Sequence, residues 1–165
     1  MNIGGPAFNS ATRDLFVSLS EFWSLPFEFC TEGKRWILRG PNSSSFHLKL
    51  SENREVQEDI GLVAKLPHYR ATDLKDNDGF AMVLGGLSTY GTLGATTFAA
   101  DPNNIKVLRK FLKPYTSRDR RYFCALVRVS VRRDSVGIET QSHEFLDVRP
   151  VTRKNRTACL AKAEA

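Results

Sequence analysis

Cysteine is scarce in this 165-residue chain, and the three present, Cys30, Cys124 and Cys159, are widely separated and outside any CxxC or Cys/His spacing. Dispersed thiols in odd number argue against a disulfide framework and a zinc site, and predict reduced cysteines in a cytoplasmic or other reducing compartment. No run of about eighteen apolar residues occurs, so no membrane span is expected. The start, MNIGGPAFNSATRD, has no cationic segment leading into an apolar core, so no secretory signal is expected. Motifs of common catalytic chemistry are missing too: HExxH, GxSxG, a phosphate-binding GxxxxGK and metal carboxylates paired at helical spacing. The DLKDNDG segment fails as a calcium loop, because placing Gly79 at the sixth position puts Leu74 first and Gly85 twelfth. We therefore expect a nonenzymatic protein without metal or cofactor. His143, Glu144 and Asp147 are the nearest approach to an acid–base set, and they suit a strand equally well.

What is present is a folded domain's composition. Hydrophobic residues make up 41% and charged residues 25%, and the length suits one core rather than two. Charge is distributed unevenly. Residues 1–102 hold nine Lys/Arg and twelve Asp/Glu, whereas residues 103–165 hold fifteen and six, giving −3 and +9 within the net +6. A clustered positive field concentrates polyanions and is screened by salt, so the last third points to nucleic acid.

The most legible stretch is 118–149. Phe123, Ala125, Val127, Val129 and Val131 alternate with Arg128, Ser130 and Arg132, the period of a half-buried strand. Asp134 and Ser135 supply turn chemistry, and Val136, Ile138 and Thr140 begin a second alternating run. A hairpin is expected, covered where Tyr122, Cys124 and Leu126 make both faces apolar and solvated toward Arg133. A second hairpin is expected over 27–39, with Gly33 at the positive φ of its turn, and further strands over 46–50, 60–66 and 79–84.

Two helices are expected. Leu15, Phe16, Leu19, Phe22 and Trp23 form one apolar stripe over 10–25, capped by Asn9 or Ser10 and ended by Pro26. Asp101 and Pro102 open the other, whose Ile105, Leu108, Phe111 and Leu112 oppose Lys106, Arg109, Lys110 and Lys113 before Pro114. The segment 85–100, rich in Gly and Thr, offers backbone donors to a phosphate in principle, but its spacing favours a connection or a bulged strand. Together these features predict an α+β fold: a single domain over 1–150, mainly an antiparallel sheet of about five to seven strands with two helices packed on one face, then a basic flexible tail over 151–165.

The functional expectation is nucleic-acid binding, RNA or single-stranded DNA, through Lys106, Arg109, Lys110 and Lys113 on the helix, Arg118, Arg120 and Arg121 at its exit, Arg128, Arg132 and Arg133 on the hairpin, and Arg153, Lys154 and Arg156 in the tail. Trp36, Tyr115 and Tyr122 are the candidates for stacking on unpaired bases. A homo-oligomer is expected. The alternatives are a self-assembling subunit of the viral coat or nucleoprotein kind, which would be virion-associated, and an interaction module that docks a protein partner through the helix over 10–25.

Overall fold

Strand β7 (Val56–Pro67) runs through the centre of the largest sheet, and its length lets three neighbours share it. The structure is a computed structural model and describes residues 2–3, 9–68, 79–133 and 139–154. On one side, the start of β7 pairs with β6 (Lys49–Leu50) and its second half with β8 (Phe80–Gly86), both antiparallel. Along the other side lies β9 (Phe123–Arg133), which in turn pairs with β10 (Glu139–Pro150). The far edge is β1 (Asn2–Ile3), parallel to β8. The expected central hairpin is thus β9 and β10, with a register shift between Phe145 and Asp147. Its turn lies outside the described residues, as do residues 69–78, which hold most of the DLKDNDG segment.

A second, three-stranded sheet contains β3 (Glu28–Glu32), β4 (Arg35–Arg39) and β5 (Ser45–Phe46). Its hairpin turns at Gly33, whose φ of 60° is the left-handed conformation expected there. The helix expected over 10–25 is shorter: α1 covers Ser10–Ser20, and the Asn9 side chain accepts from Thr12 N at 3.2 Å. Trp23–Ser24 leaves the helix as β2 and pairs with β11 (Thr152–Arg153). Backbone pairing therefore continues past Pro150, and Lys154 N donates to Phe22 O. Residues 155–165, including Arg156 and Cys159, lie outside the described residues.

The segment expected to be a connection or bulged strand is instead a third helix, α2 (Thr89–Ala100), followed directly by α3 (Pro102–Leu112). Glycine and threonine are poor helix formers, so local propensity opposes α2. Tertiary packing overrides it. A side chain at Gly61 of β7 would lie 2.5 Å from Gly91 O, and one at Gly94 would collide with Val129 Cγ2 of β9. The helix backbone thus rests almost directly on the sheet, which only glycines at these contacts permit.

The large sheet is buried on both faces. Ile60, Leu62, Ala64 and Leu66 of β7 pack with Cys124 and Leu126 of β9 toward α1, Trp23 and the three-stranded sheet. Val63 packs with Ala125 and Val127 toward α2 and α3, while α1 lies on the other face, so the two helices expected to share one face, α1 and α3, cover opposite faces, and the helix beside α3 is the unexpected α2. The chain is a single α+β domain, mostly antiparallel, with the sheet curled into a half-barrel.

Candidate nucleic-acid interface

Helix α3 is built as the sequence implies. The Asp101 side chain accepts from Asn103 N at 2.8 Å and Pro102 occupies the first turn, where its missing N–H costs nothing. Leu108 and Leu112 are buried, and Phe111 meets Phe145 of β10 at a ring separation of 4.9 Å, which seats the helix on the sheet. Lys106, Arg109, Lys110 and Lys113 all face solvent. Beyond the helix, Thr116 Oγ1 donates to Asp119 Oδ2 at 2.7 Å and accepts from Asp119 N at 3.2 Å. That closed turn occupies the stretch's one carboxylate and leaves Arg118 and Arg120 exposed, with Arg121 half-buried.

Net charge concentrates here. Residues 102–121 hold seven of the 24 Lys/Arg and one of the 18 Asp/Glu, so the remaining residues carry 17 of each and the whole +6 belongs to this stretch. Among the described residues, Lys106, Arg109, Lys110, Lys113, Arg118 and Arg120 make no ion pair.

The hairpin arginines are arranged differently. Arg128 pairs in register with Ile60, so period-2 alternation turns it to the α1 face, opposite Val127 and Val129. There it lies 2.9 Å from Glu144 and 3.5 Å from Glu58, which also binds Lys49 at 2.9 Å. Arg133 contacts Glu55 at 2.6 Å. Arg132 is exposed on the Arg128 face. The helix cations and the Arg128–Arg132 pair therefore occupy opposite faces of the sheet and do not merge into one surface through packing of helix on hairpin. Near the C-terminal end, Arg153 is half-buried on β11 and Lys154 Nζ donates to Ser20 O at 2.5 Å, tying its charge to the end of α1.

Of the stacking candidates, Tyr122 requires correction: it is 2% exposed and meets Trp23 edge-on at 5.7 Å, a core position that no base can reach. Alternation at the start of β9 places it inward, where both faces of the sheet are covered. Tyr115 is half-buried against the α2–α3 core, beside the cationic stretch. Trp36 is half-buried and lines a separate cleft with Arg35, His47 and Arg54.

His143 and Glu144 do not converge, since their register partners Val129 and Arg128 lie on opposite faces, and Asp147 accepts from Arg149 Nε and Val148 N. Among the described residues, no group of three or more His, Cys, Asp or Glu side chains is placed to hold a metal ion.

One site was hidden from sequence reading. Asp59, inside the polar SENREVQED segment, is fully buried. Its Oδ2 accepts from Ser88 N at 3.0 Å, Ser88 Oγ at 2.5 Å and Gly91 N at 2.6 Å, and its Oδ1 accepts from Ile60 N at 2.7 Å. The donors of α2 that a phosphate would have used are thus occupied by an internal carboxylate. Burial and a hydrogen-bond partner 29 residues away carry no local signal, so nothing in the segment itself announces this role. No helix among the described residues is long and apolar enough to cross a membrane. The chain matches no family model, no curated protein and no solved structure.

Proposed function

We propose that this chain is a nonenzymatic nucleic-acid-binding protein whose contact surface is α3 and the turn that follows it. The observation that carries the reading is the coincidence of net charge and pairing: all of the +6 lies in residues 102–121, and six cations there make no ion pair among the described residues. Exposed, unpaired Lys and Arg on a rigid helix neutralise phosphates and release counterions, while Tyr115 beside them offers a ring to an unpaired base. Such contacts read the backbone, so binding is expected to be salt-dependent and largely indifferent to sequence.

Fluorescence anisotropy with labelled single- and double-stranded RNA and DNA at two salt concentrations tests this. Neutralising Lys106, Lys110 and Lys113 together should weaken binding and lower the salt slope by about 2 to 3. Neutralising Arg128, Arg132 and Arg133 should matter far less, because Arg128 and Arg133 are already paired with carboxylates. Absence of binding at low salt refutes the proposal.

A second reading, self-assembly, is favoured by one observation. Among the described residues β10 pairs with β9 alone, and the exposed Phe111 lies against it. An unprotected strand edge with an apolar neighbour is a template for a second copy. Sedimentation velocity separates the readings: a monomer at micromolar concentration removes this one.

A further inference from the structure

The cleft beside Trp36 lies on the α1 face of the sheet, away from α3, and the reading of α3 does not use it. It encloses about 740 Å³, within the ordinary range for small-molecule sites. Trp36 forms one wall, its other side packed on the core, and Leu48, Leu50 and Leu87 contribute apolar surface. Arg35 and Arg54 also line it, both exposed, and neither makes an ion pair among the described residues. Glu32 is the register partner of Arg35 across the β3–β4 hairpin and still forms no ion pair with it. Arg54 is positioned by a closed turn in which Arg54 N donates to Ser51 O at 2.9 Å and Ser51 N donates to Glu55 O at 2.8 Å. A tryptophan, an apolar wall and two arginines without an ion pair among the described residues therefore line one concavity.

We propose that this cleft binds a nucleoside phosphate, the ring stacked on Trp36 and the phosphate held by Arg35 and Arg54. The chemistry follows from the lining. An indole face accepts any nucleobase by stacking, and a planar guanidinium matches phosphate oxygens in two parallel hydrogen bonds. A neutral aromatic leaves the arginines unused, and a phosphate without a ring leaves the apolar wall wet.

The chain's two tryptophans make the test internally controlled, because Trp23 is 4% exposed in the core and Trp36 is at the cleft. Proton–nitrogen spectra of the full chain should show the Trp36 indole signal moving saturably with added adenosine monophosphate while the Trp23 signal stays in place. Adenosine alone and inorganic phosphate alone should each bind at least about tenfold more weakly, the scale of one lost charge-assisted hydrogen bond. The doubly substituted R35A/R54A chain should lose a similar or larger factor, with an unmoved Trp23 signal reporting an intact core. An oligonucleotide that moves the Trp36 signal where the mononucleotide does not, in a manner abolished by R35A/R54A, identifies the source as a nucleotide within a strand. A Trp36 signal unmoved by either probe, or moved equally in R35A/R54A, overturns the proposal. Neutralising Lys106, Lys110 and Lys113 should leave the mononucleotide titration unchanged, which separates failure here from failure of the α3 reading.

Discussion

Replacing Asp59 by Asn preserves shape and removes only the charge and one acceptor. In the native protein the carboxylate receives four hydrogen bonds, three from Ser88 and Gly91 at the start of α2 and one from Ile60 N. An amide offers one acceptor oxygen. If that oxygen faces α2, its NH₂ group is driven against the Ile60 N–H; if it is reversed, the conflict falls on the donors of α2. A buried donor left unsatisfied costs about 1–3 kcal/mol, and the surviving bonds lose the strength that ionisation confers. Loss of a negative charge at a helix N-terminus adds up to about 2 kcal/mol in a buried setting. The sum reaches up to about 5 kcal/mol, a large share of a typical stability of about 5–15 kcal/mol. For a chain of this size about 2–4 °C accompanies each kcal/mol, so the midpoint should fall by about 10 °C. Calorimetry measures the drop, and hydrogen exchange should show α2 amides losing protection before those of β7 and β9. A midpoint within about 2 °C of the parent would refute the reasoning, and would mean that Ser88, whose Oγ accepts from Tyr90 N at 3.3 Å, caps the helix unaided.

Other consequences follow from burial and packing. Gly94→Ala should destabilise by about 1–3 kcal/mol or more despite the better helix propensity of alanine, because the new methyl group collides with Val129 Cγ2; denaturant titration checks it, and a stabilised variant would show that α2 stands off the sheet. Tyr122→Phe should be neutral or stabilising, since the buried Tyr122 hydroxyl has no hydrogen-bond partner among the described residues; a loss above about 1 kcal/mol would reveal one. Cys124 is fully buried, and desolvation, with a smaller contribution from the charge of Glu28, pushes its thiol far above the usual range. It should resist alkylation in the native state while Cys30, half-buried, reacts faster. The sign of the linked pH effect follows: the unfolded chain releases the Cys124 proton above about pH 8.5 and the folded chain retains it, so stability should decline by up to about 1.4 kcal/mol per pH unit above that point, and Cys124→Ser should flatten the decline in denaturation series from pH 7 to 10.

Much of the fold was legible because it is written in short-range pattern. Alternation marked β9, an apolar run stopped at Pro67 marked the second half of β7, and the Asp101–Pro102 pair marked the start of α3, since caps, runs and periodicity depend only on residues a few positions apart. The same local rules failed at Trp23. Helical spacing assigned it to α1, but strand pairing with Arg153, 130 residues later, draws it into β2 and leaves Phe22 61% exposed. The cationic face of α3 was legible for the same reason its apolar stripe was, one being the complement of the other.

The basic surface expected to unite helix, hairpin and tail shows where local information ends. Sequence determined by itself that Arg128 and Arg132 oppose Val127 and Val129, because alternation is a property of the strand alone. Only the tertiary structure decided that α2 and α3 cover the valine side, that Glu58 and Glu144 neutralise Arg128, and that Lys154 turns back to α1. Likewise the glycines at 91 and 94 read locally as part of a connection or a bulged strand. That Gly91 and Gly94 sit in a helix lying on the sheet, its start held by a buried Asp59, depends on contacts between segments far apart in the chain, where packing and hydrogen-bond satisfaction outweigh propensity.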